Sequence, residues 1–379
     1  MSEPPLIVHV IHHFGVGGLE NGIVNLINHM PADRYRHAIV CLTGYNDFHQ
    51  RLNQPIELVA LHKRSGHDLG LYRRLYRAFK QLQPAIVHTR NLSALESQAV
   101  ATLAGVRGRV HGEHGRDIYD LHGTSRKYNL LRRAIRPLVK RYIAVSRDLE
   151  QWLIDTVHAP AARVSQIYNG VDSVKFTPRT QPRKDFGPPG FCPADGWVIG
   201  SVGRMAEVKD YPGLTRAFLR LLELSPTARA RARLVILGDG ATRAACLALL
   251  KDADAEHLAW LPGERNDVAP LMAQFDVFAL SSLGEGISNT ILEAMACGIP
   301  VVASAVGGNG ELVDAGFTGT LIAPADVDAM AQALLKYFAD PALAHTHGKA
   351  GRAKIEARFS MGAMVAGYLN VYDAMLRDR

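Results

Sequence analysis

The chain has 379 residues, which suits two domains of ordinary size, and its 21% charged and 47% hydrophobic residues indicate a soluble globular protein. No apolar run approaches the roughly 20 residues that a membrane-spanning helix needs, and the first residues are typical of a β-strand and not of a signal peptide. The four cysteines are scattered without CxxC spacing, which favours reduced thiols and a cytoplasmic location.

The net charge of +7 is divided unevenly along the chain. Residues 1–185 hold 26 Lys and Arg against 15 Asp and Glu, whereas residues 186–379 hold 17 against 21. A basic N-terminal half favours an anionic partner there, and nucleic acid, acidic lipid headgroups and a phosphate-bearing substrate are the candidates.

The first predicted strand, residues 6–12, is followed by a glycine turn and a helix. The turn contains Gly17 and Gly18 and then Glu20, and helical apolar spacing begins at Ile23. This order is the usual opening of a nucleotide-binding α/β domain, although the GxGxxG fingerprint of dinucleotide binding is absent. Glu20 has two interpretations: a site residue, or a first-turn acid that complements the helix dipole.

Further strand-like segments alternate with helical patterns through the first half. They are predicted at residues 38–42, 56–61, 85–88 and 109–113. The alternation predicts a parallel sheet with crossover helices. Ligands of such sheets bind beyond the carboxyl ends of the strands, and His114 follows the last of these segments. His114 is therefore a candidate site residue, and a histidine on a loop surface is the alternative.

Two basic segments also lie in the first half. Residues 125–142 contain seven Lys or Arg and no acid, and residues 72–80 contain four more. Such segments favour peripheral contact with an anionic membrane, at roughly 1 kcal/mol per Lys or Arg near the surface, and a solvated helix face is the alternative. Pro137 should kink or divide any helix in the longer segment. Nucleic-acid binding is not favoured, because no recognised module or aromatic stacking platform accompanies these residues.

Residues 178–196 contain five prolines and little periodicity, which predicts an interdomain linker. The predicted domains are residues 1–177 and 197–358, followed by a helical segment at residues 359–379. The second domain repeats the alternation of strands and helices. Glycines and cations stand in the turns after its first three strands, and the residues of interest there are Gly203, Arg204, Lys209, Gly238 and Arg265.

The most informative stretch reads SLGEGISNTILEAMACGIPVVASAVGG. Ser288 and Asn289 suit a helix N-cap, and helical apolar spacing begins at Thr290. The first amides of such a helix and its positive dipole end form an anion site, which Glu285 and Glu293 bracket. Acids on both sides of a phosphate site suit a nucleotide sugar, although two glutamates eight residues apart also occur by chance.

This string resembles the E-x7-E signature of the retaining GT-B glycosyltransferases of the family-4 type (glycosyl transferases group 1). Glu285 and Glu293 fall on the two signature acids, and the glycine turn and the loop with Arg204 and Lys209 match further motifs. The resemblance extends over nearly the whole chain. It implies an α/β fold of the GT-B class, with two Rossmann-like doubly wound domains facing a central cleft and a last helix that returns to the first domain.

The resemblance implies a retaining, metal-independent hexosyltransferase that uses a nucleotide-diphosphate sugar, expected to be UDP-linked, as donor substrate and needs no cofactor. The acceptor would be a glycan or a lipid-linked sugar at the inner face of the cytoplasmic membrane. No convincing DxD metal motif is present. The strings GGLEN and EGISNTILEAMACGIP are most similar to bacterial exopolysaccharide transferases associated with PEP-CTERM sorting, which implies cell-surface polysaccharide assembly.

The resemblance also implies roles for single residues. Glu285 would hold hydroxyls of the donor sugar, and Glu293 would hold the ribose diol. Arg204 and Lys209 would bind the diphosphate in place of a metal, each charged hydrogen bond contributing roughly 1.5–3 kcal/mol. The other implied site residues are His114, Gly17, Gly18, Gly203, Gly238, Arg265 and the amides of Asn289 and Thr290.

Three other functions stay open from the sequence. A Rossmann dehydrogenase is an enzyme of another class, but the GxGxxG motif is missing. A sugar-nucleotide epimerase shares the GT-B architecture and would consume donor without an acceptor. A basic adaptor of membranes or nucleic acids without catalysis would bind with a steep salt dependence and hydrolyse no donor.

Overall fold

The computed structural model describes residues 3–116, 119–183, 186–193 and 195–377. The chain divides into two compact units, one formed by Met1–Gly170 with Met361–Arg379 and the other by Val171–Ser360. No helix within the described ranges combines the length and the apolar character needed to cross a bilayer. Each unit is an α/β structure around its own parallel sheet, as predicted for the fold class.

The first unit is built on a seven-stranded sheet with helices on both faces. Its strands are β1 (Leu6–Ile11), β2 (Arg36–Cys41), β3 (Glu57–Ala60), β4 (Ile86–Arg90), β5 (Gly108–Glu113), β6 (Arg141–Ala144) and β7 (Val164–Gln166). Its helices up to residue 170 are α1 (Gly18–His29), α2 (Leu69–Leu82), α3 (Asn91–Leu95), α4 (Ser97–Leu103), α5 (Arg126–Ile135) and α6 (Arg147–Asp155). The strands pair in parallel in the order β3-β2-β1-β4-β5-β6-β7.

The local sequence accounts for these elements. Ile7 packs on one face of the sheet and Val8 and Val10 on the other, and all three are fully buried, as a parallel sheet covered on both faces requires. The strands predicted from the alternating pattern are found within one or two residues. Helix α5 ends before Pro137, which lies in the short 3-10 helix Arg136–Leu138, because proline cannot continue an α-helix.

The second unit is built on a six-stranded sheet. Its strands are β8 (Trp197–Val202), β9 (Ala232–Leu237), β10 (Ala259–Gly263), β11 (Val277–Leu280), β12 (Val301–Ser304) and β13 (Gly319–Ile322). Its helices are α7 (Tyr211–Leu224), α8 (Pro226–Arg231), α9 (Arg243–Asp252), α10 (Val268–Met272), α11 (Asn289–Ala296), α12 (Asn309–Leu312), α13 (Val327–Ala339) and α14 (Pro341–Arg358). The strands are parallel in the order β10-β9-β8-β11-β12-β13.

The last helix, α15 (Met361–Arg377), belongs to the first unit. Its apolar side chains pack on the sheet face that contains Ile7. Two polar contacts add to this packing: the Tyr372 hydroxyl lies 2.8 Å from Nδ1 of His88, and the Tyr35 hydroxyl donates to Asp373 at 2.7 Å. The helix therefore completes the core of the unit that begins the chain.

The segment predicted as a linker, residues 178–196, lies within the second unit. Arg183 attaches it there: Nε donates to the Gln274 carbonyl at 3.2 Å, and Nη2 pairs with the Asp276 carboxylate. The same carboxylate accepts the amide of Val198 at 2.7 Å, at the start of β8. Residues 184, 185 and 194 of the segment lie outside the described residues. Its many prolines accompany an irregular chain that is packed against the second sheet.

Candidate active site

Three loops at the carboxyl edge of the second sheet form the candidate site. They follow β8, β11 and β12, which are neighbours in the sheet, and they comprise residues 203–210, 281–288 and 305–308. The strand order reverses between β8 and β11, and ligands of open α/β sheets bind at such a point. The predicted site residues on these loops are Gly203, Arg204, Lys209 and Glu285.

Hydrogen bonds fix the first two loops to each other. The amide of Leu283 donates to the Val208 carbonyl at 2.8 Å. The hydroxyl of Ser281 lies 2.9 Å from the carbonyl oxygen of Lys209 and 2.8 Å from that of Asp210. The backbone that carries Lys209 is therefore held by the loop after β11.

The side chains of Lys209 and Glu285 meet between these loops. Nζ of Lys209 lies 2.5 Å from Oε1 of Glu285, and the two side chains are 23% and 9% exposed. The hydroxyl of Ser282 donates to the same carboxylate oxygen at 2.6 Å. Opposite charges in such a partly buried place are screened less than on an open surface. The structure thus brings two of the predicted site residues into direct contact.

A glycine turn from the third loop supports the backbone of Glu285. The amide of Gly308 donates to the Gly286 carbonyl at 3.1 Å. Gly307 has a φ of +50°, and a Cβ on it would lie 1.8 Å from the carbonyl oxygen of Glu285. Only glycine fits this approach, because any side chain would displace the turn from Glu285.

Arg204 differs from Lys209 in its surroundings. It is exposed, and no acidic partner of its guanidinium is found among the described residues. Its charge is therefore available to an anionic ligand at the mouth of the loop. The described part of the chain contains no group of three or more His, Cys, Asp or Glu side chains arranged as a metal site.

Helix α11 begins directly after the loop that carries Glu285. Ser288 is its N-cap, and its hydroxyl accepts the amide of Ile291 at 3.4 Å. Asn289 and Thr290 are the first helical residues, so their amides lie in the first turn, before the intrahelical hydrogen bonds begin. Such an end attracts anions. Glu293 lies one turn further on and is partly exposed.

The glycines after β8 and β9 let two loops approach closely. Gly203 and Gly238 have φ values of +153° and +150°. A Cβ on Gly238 would lie 2.0 Å from the carbonyl oxygen of Gly203. The amide of Met205 also donates to the Asp239 carbonyl at 2.8 Å. These glycines therefore shape the loop that carries Arg204.

Arg265 is engaged with an acid in the structure. Its Nε and Nη2 atoms donate to the two carboxylate oxygens of Asp267 at 2.8 and 2.6 Å. Its guanidinium also lies 5.8 Å from the centre of the Trp260 ring. Because both partners of this ion pair are exposed, the pair contributes little to stability.

The glycine turn of the first unit begins α1. Gly17 is the N-cap, and Gly18 is the first helical residue. The Glu20 carboxylate folds back to this end, where a Cβ on Gly17 would meet its Oε2 atom at 2.2 Å. The acid in the first turn therefore lies at the positive end of its own helix.

His114 follows β5 at the carboxyl edge of the first sheet. Its amide donates to Oδ1 of Asn91 at 2.7 Å. Burial, and then the nearby charge of Arg90, lower the pKa of His114 to about 3, so its imidazole is neutral at pH 7. Its Nε2 atom is buried and has no hydrogen-bond partner among the described residues.

A buried polar layer lies beneath His114. Arg90 is 1% exposed, and its Nη1 atom lies 2.8 Å from Nδ1 of His9. Nε2 of His9 in turn lies 3.0 Å from Nδ1 of His37. Beside this layer, Nε of Arg132 donates a hydrogen bond to Oε1 of Glu113 at 2.9 Å. Despite its burial, the carboxyl of Glu113 has a pKa lowered to about 2, mainly by the Arg132 charge.

Two families match the two halves of the chain. The family described as Glycosyltransferase Family 4 matches residues 16–175, and the family described as Glycosyl transferases group 1 matches residues 196–340. The second match includes all three loops of the candidate site, and the first includes the glycine turn and His114.

Curated relatives of the chain are transferases or synthases of sugar derivatives by name. The chain is 29% identical over 92% of its length, and 92% of the relative's, to UDP-Gal:alpha-D-GlcNAc-diphosphoundecaprenol alpha-1,3-galactosyltransferase of Escherichia coli. It is 28% identical to N-acetyl-alpha-D-glucosaminyl L-malate synthase of Bacillus anthracis, over 70% of this chain and 67% of that protein.

Solved structures share the fold. A glycosyltransferase of Rickettsia africae has a TM-score of 0.80 and 20% identity, with both chains covered completely. Alr3699/HepE of Anabaena, solved in complex with UDP and glucose, has a TM-score of 0.81 and 19% identity over 97% of this chain and 99% of the other. With the two parallel sheets, these similarities show the GT-B fold, and the two family matches together support a glycosyltransferase.

Two residues that hold the candidate site together, and one that contacts His114 in the first unit, were missed by the sequence reasoning. Ser281 and Ser282 contact the loop and the carboxylate described above, and Asn91 binds the amide of His114. A signal was present for the serines, since two hydroxyls follow a buried strand within four residues of Glu285. The hydrogen bond between Asn91 and His114 joins residues that directly follow β4 and β5 and are 23 positions apart, so no local pattern marks it.

Proposed function

We propose that the chain transfers a sugar from a nucleotide-diphosphate sugar to a glycan or lipid-linked acceptor, with retention of configuration and without a divalent metal. The observation that carries the proposal is the arrangement at the edge of the second sheet. There the Lys209–Glu285 pair, the exposed Arg204 and the start of α11 occupy adjoining loops. Cations, a hydroxyl-binding acid and a helix start suit the diphosphate and the sugar of one ligand.

Arg204 and the first amides of α11 would stabilise the diphosphate as it departs. Negative charge develops on the leaving oxygen in the transition state, and preorganised donors aimed at that charge lower the barrier. Lys209 would lie between the diphosphate and Glu285, whose carboxylate would accept hydrogen bonds from sugar hydroxyls. Glu293 would accept those of the ribose. Glycines 203 and 238 would allow the backbone to approach the nucleotide.

Retention is proposed from the sequence resemblance. Because no carboxylate in the site identifies itself as a covalent nucleophile, we propose that it proceeds by attack on the face that the diphosphate leaves. Oε1 of Glu285 already accepts hydrogen bonds from Lys209 and Ser282. The acceptor hydroxyl would attack from the face that the diphosphate leaves, and the departing phosphate oxygen would take its proton. The new glycosidic bond would form as the bond from the anomeric carbon to phosphate breaks.

In the first unit, His114 and the turn of Gly17 and Gly18 would contact the substrates. The neutral imidazole of His114 can donate or accept one hydrogen bond at each ring nitrogen but brings no charge. Arg265 would contribute through the backbone of its loop, because its guanidinium is bound to Asp267.

We propose UDP as the nucleotide and a polyprenyl-diphosphate-linked sugar as the acceptor class. The name of the Escherichia coli relative, similar over 92% of this chain, gives UDP-Gal and GlcNAc-diphosphoundecaprenol. A role in cell-surface exopolysaccharide assembly, with the PEP-CTERM association, rests on the sequence resemblance. The two curated relatives do not favour the epimerase, dehydrogenase or adaptor.

We also propose peripheral contact with an anionic membrane, at the inner face of the cytoplasmic membrane. The outer face of α2 supports it, since Arg73, Arg77 and Lys80 are exposed beside Tyr76 and Leu69, which are 39% and 81% exposed. Sedimentation with phosphatidylglycerol vesicles should fall for Arg73→Glu/Arg77→Glu. The control is Arg216→Glu/Arg229→Glu, two surface charges of the second unit, and equal binding by both variants would exclude this surface.

The second basic segment, residues 125–142, presents fewer cations to a membrane surface than its composition suggests. Nε of Arg132 binds Glu113, and Nε of Arg133 donates to the Thr156 carbonyl at 3.0 Å. Arg136 donates to the carbonyl of His158 at 2.8 Å. These cations are thus bound within the first unit, and α2 is the better candidate for a membrane surface.

The test of the proposed function is a screen of the purified chain with UDP-, GDP- and ADP-sugars. A donor at 100 times its dissociation constant should add about 2.7 kcal/mol of stability, which a thermal shift reports. Transfer to a lipid-diphosphate-linked sugar, in the presence of EDTA, should give a product with the donor's anomeric configuration. No shift with any sugar nucleotide would contradict the function. Loss of transfer with EDTA would contradict metal independence, and an inverted product would contradict retention.

A further inference from the structure

Ser282 stands directly below the carboxylate of Glu285. It follows β11, its side chain is fully buried, and its hydroxyl donates to Oε1 of Glu285 at 2.6 Å. Lys209 approaches the same oxygen atom at 2.5 Å. Two donors from different loops thus converge on one oxygen, and neither contact engages Oε2.

The two donors differ in how firmly they are held. Ser282 has a short side chain in a closed environment, whereas Lys209 has four rotatable bonds and is 23% exposed. Lys209 is also the group that a diphosphate would attract. When a donor binds and competes for the Lys209 ammonium, the Ser282 hydroxyl remains on Oε1. It therefore holds the carboxylate during the step at which the lysine is shared.

The neighbouring serine has a different role. The hydroxyl of Ser281 contacts the carbonyl oxygens of Lys209 and Asp210 and has no contact with the Glu285 carboxylate. Removal of Ser281 would loosen the loop after β8, but removal of Ser282 would act on Glu285 itself. The two adjacent hydroxyls can therefore be separated by experiment.

We propose that Ser282 is a positioning residue for glycosyl transfer, which fixes the rotamer of Glu285 and leaves Oε2 for the hydroxyls of the donor sugar. The inference rests on the proposed function, in which Glu285 binds that sugar. A carboxylate placed by preorganised contacts binds the transition state without having to be ordered at the moment of reaction.

The test is a double-mutant cycle. Ser282→Ala should lower kcat/KM about 10- to 100-fold, the range of one hydrogen bond to a charged group, and most of the loss should be in kcat. In a Glu285→Ala background the same change should alter the rate less than about twofold, because the carboxylate it positions is absent. Ser282→Cys fills the space with a weaker donor and should show most of the loss while it stays folded.

The matched control is Ser201→Ala. Ser201 is also fully buried in the second sheet, and its hydroxyl donates to the Ala279 carbonyl at 2.7 Å. Because this hydroxyl bonds to a backbone carbonyl, any loss of transfer in Ser201→Ala would come from general destabilisation. That loss should be equal with and without the Glu285 carboxylate. If Ser282→Ala caused the same loss with and without that carboxylate, the inference would be overturned while the proposed function would stand. Normal transfer by both Ser282→Cys and Ser282→Ala would have the same meaning. Normal transfer by Glu285→Ala would instead remove the proposed role of Glu285, and with it the basis of the inference.

Discussion

Lys209 and Glu285 form an ion pair whose atoms Nζ and Oε1 lie 2.5 Å apart, so one of the two cations in the loop after β8 is already paired with an acid. Arg204, the other cation, is exposed and has no acidic partner in the described ranges. The charge that a diphosphate would meet in the proposed site is thus chiefly that of Arg204. The Lys209 ammonium can contact both Glu285 and a ligand, but its charge is already paired with that of Glu285.

Arg204→Ala should therefore lower kcat on the order of a hundredfold, because it removes the unpaired donor that meets the developing charge on the leaving group. Steady-state transfer assays with a saturating acceptor measure this loss. Arg216→Ala is the control, since Arg216 is a half-exposed cation on the next helix, 3.9 Å from Asp210. Near-normal turnover by Arg204→Ala would remove the leaving-group assignment.

The ion pair itself predicts a difference between stability and activity. Lys209→Met should lower the free energy of unfolding by about 1 to 3 kcal/mol, because it leaves Glu285 without its partner in a partly buried place. The double variant Lys209→Met/Glu285→Gln should recover most of that stability but no transfer. Urea unfolding measures the first effect and a transfer assay the second. Recovered transfer would contradict the proposed roles of both residues.

The elements that carry the site were predictable because they depend on local patterns. The strands, the N-cap Ser288 and the break before Pro137 each follow from neighbouring residues. The E-x7-E string and its glycines also placed Glu285 in a turn beside a helix start. Contacts between distant segments were not predictable, because spacing within one loop says nothing of what the next loop presents.

The segment 178–196 illustrates the same limit. Its prolines correctly indicate irregular backbone, but composition does not reveal whether such a chain is packed. Arg183 and Asp276, 93 residues apart, attach it to the second unit. In the first unit, likewise, nothing in the local sequence indicates that Arg90 would be buried among histidines.

Gly307 predicts a steric effect on the site. Gly307→Ala should reduce transfer at least about tenfold, because its Cβ would lie 1.8 Å from the Glu285 carbonyl oxygen and its φ of +50° disfavours a side chain. Gly310→Ala is the control, as no atom lies within 4 Å of a Cβ there. Transfer and thermal unfolding of both variants give the comparison. Equal behaviour would mean that the turn does not hold Glu285.

The buried histidines predict loss of stability in acid. Burial, and then the Arg90 charge, lower the pKa of His37 to about 4, and the pKa of His9 is lowered too. In the unfolded chain these groups titrate near 6.5, so below that pH the unfolded state binds protons that the folded state does not. The free energy of unfolding should fall as pH drops from 6.5 towards 4, by about 1.4 kcal/mol per pH unit for each histidine.

Urea unfolding at pH 7.5, 6.5, 5.5 and 5.0 measures this dependence. His37→Gln should make the pH dependence less steep by the contribution of one histidine. The side-chain amide oxygen of the new glutamine can still accept a hydrogen bond from His9. The low pKa of Glu113, about 2, adds a further loss only below about pH 4.5. A free energy of unfolding that stays constant between pH 7 and 5 would contradict the prediction.

Asn91 holds the backbone of His114 in place. It has a φ of +57°, a conformation that asparagine tolerates better than most residues, and its Oδ1 atom accepts the His114 amide at 2.7 Å. Asn91→Asp keeps the acceptor and should leave transfer within about twofold of normal. Asn91→Gly keeps the backbone but loses the acceptor, and should lower kcat/KM about 3- to 10-fold, the range of one neutral hydrogen bond.

Asn91→Ala separates this contact from backbone strain. It loses the same acceptor as the glycine variant and also strains the left-handed conformation, which costs roughly 1–2 kcal/mol. Its transfer should therefore equal that of Asn91→Gly, while its melting temperature is lower. In a His114→Ala background the loss caused by Asn91→Gly should disappear if Asn91 acts through the imidazole. A loss that persists there would show that Asn91 acts on another part of the edge of the first sheet.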